Sequence, residues 1–231
     1  GEVEFLDGTE LSDSIYGTSA NLNLLGTSSG PVNSGVGISF LNTLSMSDWS
    51  NDRQIELATG QTLRLGATGG IQVLSGAGSL SIGVAGSGGG LSAGGSTLNA
   101  TGTLFLGNHS TSSLLTIGAN IMNNGSGAVA VVVNGAPGAR TVLSGTNTHT
   151  GGTRVTGGLL EIRSNGALGT TGTVTVVEGT VASLGLGGGI TLSRSLTIGG
   201  TGEGGLGSLR SLDGENRVSG LITIAGNSFI S

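Results

Sequence analysis

Glycine is so frequent in this chain that helices of ordinary length cannot form. The 231 residues include 49 Gly. Each Gly costs about 1 kcal/mol relative to Ala inside a helix, and the abundant Thr, Ser and Val are weak helix formers. Disorder is disfavoured as well, because 30 Leu, 16 Val and 13 Ile provide a core that disordered chains lack. The sequence therefore predicts a folded, all-β chain.

Short segments of the form apolar, any residue, apolar recur along the sequence, and several are followed by Gly. In a strand, the outer two side chains of such a triplet point to one face and the middle one points to the other. We expect the first face to be buried and the second to be exposed to solvent. The triplets begin at Ile55, Leu63, Leu80, Leu104, Leu115, Leu160, Val174, Leu196 and Ile222.

Strands this short do not suit a sandwich, whose strands usually have about five to six residues. They suit a solenoid, in which each turn contributes short strands and successive turns stack about 4.8 Å apart. The spacing of the triplets fits turns of roughly 18–26 residues. We predict a single β-solenoid over residues 1–231 with about ten turns. Residues 1–50 are less regular than the rest.

One internal repeat is sharper than the others. Residues 144–151 align with residues 213–220 at an offset of 69, which suits three stacked turns. Asn at matching positions can form a side-chain amide ladder, so we predict a structural role for the shared residues. The matched residues are Gly145, Asn147 and Gly151 in the first copy and Gly214, Asn216 and Gly220 in the second.

Residues 142–169 resemble the passenger-associated repeat of bacterial autotransporters, whose pattern runs L-x-G-x-N-x-(aromatic)-x-G-x-T and then N-x-x-x-L-G. Residues 205–231 resemble a second, degenerate copy, and His149 and Val218 stand where the family usually has an aromatic residue. The resemblance implies a right-handed parallel β-helix that is exported and displayed at a bacterial surface. It covers a passenger-like segment without the translocator barrel, because six aromatic residues cannot supply aromatic girdles.

Composition excludes several classes of protein. The chain has 8 Arg, no Lys and a net charge of −5, which argues against a nucleic-acid partner. No apolar run reaches 18 residues, so we expect no membrane insertion of this segment. With no Cys, disulfides and thiolate metal sites are excluded, and we predict no metal or cofactor.

Acidic residues are concentrated at the start of the chain, at Glu2, Glu4, Asp7, Glu10 and Asp13. They could be a charged edge that blocks unwanted stacking. They are also a candidate end-to-end contact with a second copy, because six of the eight Arg follow position 139. Such a start is not a signal peptide, and the sequence ends without a polar cap. We therefore expect a processed or excised segment whose stack is continued by further repeats or by another subunit.

Histidine and carboxylate clusters offer little catalytic chemistry. His109 and His149 are the only His, and Val218 at the position equivalent to His149 favours a structural role over a metal ligand. Glu161 and Arg163, with Glu178 nearby, could serve a polysaccharide lyase or hydrolase. We expect instead a solvated ion pair on the wet face.

A second polar cluster surrounds the single Trp. Asp48, Asp52 and Arg53 flank Trp49, and an aromatic residue beside carboxylates could be a sugar-binding platform. The favoured interpretation is a loop that protrudes from the solenoid, with Trp49 covering a turn.

These observations favour a non-catalytic, exported structural or adhesive module, a rigid stalk or adhesin passenger, in a cell-surface or extracellular protein. Its expected partners are itself, further repeats of the same chain, or a host or surface glycan or protein. The first alternative is a subunit of an extracellular filament with end-to-end docking. Lesser alternatives are a β-helix polysaccharide-degrading enzyme and an ice-binding solenoid, the latter suggested by alternating Thr at 146–150 and 173–175.

Overall fold

The protein folds as a parallel β-solenoid, as predicted. The computed structural model describes residues 2–5, 21–24, 32–33 and 38–231, with the backbone alone for 2–5, 32–33, 38 and 39. The only helical element in these ranges is a single 3-10 turn at Glu203–Gly205. Among the described residues no helix is long and apolar enough to cross a membrane.

The first sheet contains twelve of the described strands, which pair in parallel and stack along the solenoid. Ten of them follow one another in a single path. These are β1 (Glu2–Phe5), β2 (Asn21–Leu24), β4 (Ile38–Met46), β6 (Thr62–Val73), β9 (Gly102–Asn108), β12 (Val129–Gly135), β14 (Thr153–Val155), β16 (Val174–Val176), β19 (Leu196–Gly200) and β22 (Ile222–Ser228). β8 (Gly90–Ala93) and β11 (Asn120–Ile121) extend the same sheet beside β6.

The second sheet contains eight of the described strands, and a separate two-stranded pair forms a third wall near the end of the chain. The second sheet consists of β3 (Val32–Asn33), β5 (Arg53–Glu56), β7 (Leu80–Ile82), β10 (Leu114–Ile117), β13 (Arg140–Leu143), β15 (Gly158–Ile162), β17 (Ala182–Gly187) and β20 (Leu209–Asp213). The third wall pairs β18 (Thr191–Leu192) with β21 (Arg217–Val218).

The solenoid has about seven turns, so the prediction of about ten was too high. Seven passages of chain join the eight described strands of the second sheet. Some of these passages are longer than the roughly 18–26 residues expected from triplet spacing. The longest brings Leu115 beside Leu80, an offset of 35 residues, because the intervening chain also forms β8 and β9. The prediction that residues 1–50 are less regular than the rest concerns a segment of which only parts are described.

Aliphatic side chains stack in unbroken columns inside the solenoid. Strand register places one residue of each turn directly over its counterpart in the next, so the apolar ends of the triplets coincide. The column of the first sheet is fully buried except at its last member, Ile224, which is 52% exposed. It contains Leu22, Leu44, Ile71, Leu106, Val133, Val155, Val176, Ile198 and Ile224. All but Ile224 belong to one continuous core.

Middle residues of the triplets point away from this core. Thr175 and Thr197 are half-buried, and Thr223 is exposed, as the alternation predicted. Two charged middle residues differ. Arg64 is 6% exposed and lies over the Phe40 ring at 5.3 Å, and Glu161 is completely buried. Neighbouring turns cover these two side chains. The pattern of a single strand cannot indicate such a contact between turns.

Glycines in the internal repeat allow adjacent turns to approach closely at corners. A Cβ on Gly145 would overlap the carbonyl oxygen of Ala119 in the preceding turn, and a Cβ on Gly220 would overlap that of Arg194. Both glycines therefore lie where backbone meets backbone with no room for a methyl group.

We expect Gly145→Ala to destabilise the protein by about 1–3 kcal/mol, because the corner must shift to relieve the overlap. The measurement is the free energy of unfolding from chemical denaturation. Gly70→Ala is the matched control, because a Cβ there would meet Phe105 Cβ at 3.5 Å, an ordinary contact. Equal stability of the two variants would show that the corner at Gly145 is not close-packed.

Candidate functional site

The two Asn of the internal repeat make the same contact three turns apart. Asn147 Oδ1 accepts a hydrogen bond from the Ile121 amide at 2.8 Å, and Asn216 Oδ1 accepts one from the Ile190 amide at 3.0 Å. The two acceptors and the two donors are both separated by 69 residues, the offset of the repeat. The predicted amide ladder was wrong at these positions, since each side chain bonds to backbone groups.

Glu161 is the centre of an ion-pair network on the outer face of the second sheet. It lies in β15 and contacts Arg140 of β13 and Arg163, which follows β15. Arg163 also binds Asp213 of β20, with its Nη2 atom 2.8 Å from Oδ2. The expectation of a solvated pair was wrong, because the Glu161 side chain is 0% exposed beneath two half-exposed guanidinium groups.

The network joins turns that do not touch through their backbones. Strand β17 separates β15 from β20, and it contributes Gly187 beneath the charged groups. Burial lowers the pKa of Arg163, but hydrogen bonds to Glu161 and Asp213 and their charges outweigh it and raise that pKa. Asp213 Oδ1 also accepts the Gly188 amide at 2.6 Å. All the groups are engaged with one another, so the network holds turns together.

His149 is a buried corner residue. It is 0% exposed, and its Nε2 atom lies 3.1 Å from Thr153 Oγ1. Burial, together with a smaller contribution from the charge of Arg194, lowers the pKa of His149 to about 4, against an opposing hydrogen bond with the Ile121 backbone. The ring is therefore neutral at physiological pH. His109 follows β9, and among the described residues no three His, Asp or Glu converge as metal ligands.

The loop around Trp49 is built on a buried ion pair. Asp48 and Arg53 are both nearly inaccessible and lie 3.0 Å apart. Burial alone raises the pKa of Asp48, but hydrogen bonds from Ser50 and Asn51 and the charge of Arg53 bring it below its usual value. Trp49 is 78% exposed and lies over the turn at Gly76, while Asp52 accepts the Ser79 amide. Both carboxylates therefore shape the loop.

Other predicted site residues are dispersed. Glu178 is exposed after β16 and forms no ion pair with any described residue. Glu2 and Glu4 lie in β1, at one end of the first sheet as described, and their side chains are not described. Asp7, Glu10 and Asp13 lie outside the described residues.

A feature that the sequence reasoning missed is a depression of about 260 Å³ on the outer face of the first sheet. We call it the Phe105 trough. β4, β6, β9 and β12 form it, and its floor includes Gly70 and Gly107, which contribute no side chain. The side chains around it belong to Thr43, Gln72, Phe105, His109, Val132 and Asn134.

The trough combines an aromatic surface with uncommitted polar groups. Phe105 is 42% exposed, because it is the outward-facing middle residue of a triplet. Within the described part of the chain, the Gln72 and Asn134 amides and the His109 ring make no hydrogen bond. No carboxylate or Arg lines the trough. The signal available in the sequence was an aromatic residue at a position that is otherwise mostly polar.

We expect Glu161→Gln to lower the free energy of unfolding by about 1–3 kcal/mol, because Arg140 and Arg163 lose their shared counter-charge. Chemical denaturation at pH 7 measures the effect. Glu215→Gln is the matched control, since Glu215 is exposed and forms no ion pair among the described residues. Its effect should stay within about 0.5 kcal/mol. The interpretation fails if both variants are equally stable.

We expect His149→Val to remove a loss of stability at acid pH. In the unfolded chain His titrates near 6.5, whereas in the folded chain the pKa of His149 is about 4. Between these values the unfolded state binds a proton that the folded state does not, so stability falls as pH drops from 6.5 to 4. The loss amounts to about 3 kcal/mol.

The check is the difference in unfolding free energy between wild type and His149→Val, followed from pH 8 to pH 4. The difference should be constant above pH 7 and should shift in favour of the variant below pH 6.5. Parallel profiles over the whole range would contradict a buried neutral His149. Val is the natural replacement because the equivalent position of the repeat holds Val218.

Comparisons with protein-family models, with curated proteins and with solved structures gave no match for this chain. A function for this chain therefore has to follow from the geometry of its described residues. That geometry provides a stacked scaffold, an ion-pair network that joins turns, and a neutral trough.

Proposed function

We propose that this chain is an exported, non-catalytic structural module that acts as a rigid stalk or adhesin passenger at a bacterial surface. The observation that carries the proposal is the column of aliphatic residues that continues without interruption from Leu22 to Ile198. Parallel strands enclose this column, and each turn is bonded to the next. Such a stack resists bending, because deforming it breaks hydrogen bonds and apolar contacts together.

Contacts between turns outside the strands support the same role. The Asn147 and Asn216 side chains bond to the preceding turn, and the Glu161 network joins turns further apart. The resemblance of residues 142–169 to an autotransporter passenger repeat supports export and surface display. A stalk has to extend away from the surface, and seven turns at about 4.8 Å each span about 34 Å.

Antibodies raised against this segment test the location. On intact cells that produce the protein, we expect surface labelling that external protease removes. A cytoplasmic protein of the same cells, which should stay unlabelled until the cells are lysed, is the control. Labelling only after lysis would overturn the proposal of surface display.

A filament subunit is the second candidate, and the exposed face of β22 favours it. Ile224 is 52% exposed and Leu221 is 71% exposed, whereas Ile198, the counterpart of Ile224 one turn earlier, is completely buried. Another turn, whether from further repeats or from a second copy, would cover these side chains and pair with β22. Open-ended contacts of this kind produce fibres.

Negative-stain electron microscopy of the purified chain distinguishes the two candidates. A stalk module gives separate rods, and a filament subunit gives threads many times longer. If threads form, Ile224→Lys should return them to single rods, because a charge would be buried in the contact. Val84→Lys is the control, since Val84 is also exposed but lies on the side of the solenoid.

A further inference from the structure

We infer that the Phe105 trough binds a neutral sugar ring of a glycan chain. The inference deepens the adhesive function proposed above, on which it rests for the source of the glycan, by naming a ligand class and a site. Its geometric basis is the juxtaposition of an exposed aromatic ring, a floor of glycine and uncommitted side-chain amides on one flat sheet.

The aromatic ring supplies a stacking surface. In the strand register, Phe105 lies between Gly70 of β6 and Val132 of β12. Because Gly70 has no side chain, the turn on that side leaves space beside the ring. The face of an aromatic ring is electronegative and attracts weakly positive C–H groups, which a sugar ring presents on one side.

The polar groups supply hydrogen bonds at the rim. The Gln72 and Asn134 side chains are exposed on either side of the Phe105 strand. The His109 ring and the Thr43 hydroxyl, which already donates to Asn21 Oδ1 at 2.7 Å, complete the lining. Each amide offers both donors and an acceptor, which matches hydroxyl groups that also donate and accept. A few polar groups around an apolar surface are typical of small-ligand sites.

The charges argue for a neutral ligand. No Arg, Asp or Glu lines the trough, so a sulfate, phosphate or carboxylate group would enter without a counter-charge. The trough also lies on the face of the sheet and not at its edge. A peptide strand could not extend the sheet there, because strand addition needs an unpaired edge.

The surroundings favour one ring of a longer chain over a free monosaccharide. A second depression, of about 210 Å³, shares Val132 with the trough and continues over β14 and β16. It is lined with small and hydroxyl-bearing residues, among them Ala130, Thr173 and Thr175, and with Arg154. Each turn advances about 4.8 Å along the axis, so a glycan lying along the solenoid would meet both depressions.

Titration calorimetry of the purified chain with neutral tetrasaccharides of glucose, galactose, mannose and N-acetylglucosamine tests the inference. We expect at least one of these probes to bind, and Phe105→Ala to weaken its binding by about ten-fold or more. Gly70→Thr should also weaken it, because a side chain would fill the trough. A Cβ there makes only an ordinary contact, so the fold should be retained.

Phe229→Ala is the matched control, because Phe229 is also exposed but lies far along the chain in another turn. It should bind the probe as the wild type does. The inference is overturned if no neutral tetrasaccharide binds, or if the Phe105→Ala and Gly70→Thr variants bind the probe as tightly as the wild type does. These results do not depend on where the protein resides, so they are distinguishable from a failure of the surface-labelling experiment.

Discussion

The hydrogen-bond ladder between successive turns is the constraint on which the rest of the structure depends. It fixes the spacing of the turns at about 4.8 Å and leaves each residue directly over its counterpart. A column that faces the core can then stay apolar from one turn to the next, as Ile71, Leu106 and Val133 show. Corners have to close within the same spacing, and this accounts for glycine at positions such as Gly145 and for side chains such as Asn147 that satisfy backbone amides.

The sequence was sufficient to predict those features of the fold that depend on the pattern within single strands. The triplets predicted the strands, the direction of their side chains and a stacked parallel fold, and the 69-residue repeat matches three turns of the solenoid. It was insufficient where two or more turns meet. Glu161 is polar in its own strand, and only Arg140 and Arg163 above it make it a buried residue. The number of turns was overestimated because turn length varies with the extra strands that some turns contain.

The Phe105 trough could not be predicted for the same reason. Gly70 and Phe105 are 35 residues apart, and nothing in either segment indicates that they are neighbours.

The two sheets differ in what they present to solvent. The second sheet has Glu161, Arg140 and Asp213 on its outer face, and their charges form ion pairs that join one turn to another. At the trough, by contrast, the first sheet presents the Phe105 ring together with the Gln72 and Asn134 amides, which point to solvent.

The repeated contacts between turns have a mechanical consequence. Asn216 bonds to a residue 26 positions earlier, so this corner is tied to the turn before it. A force that pulls the chain from one end therefore acts on one turn at a time, so the turns unfold in sequence from that end. Each turn that detaches would release a segment of about 25 residues, or about 85 Å of extended chain. A module of this kind could dissipate sudden tension in small steps while its remaining turns stay folded.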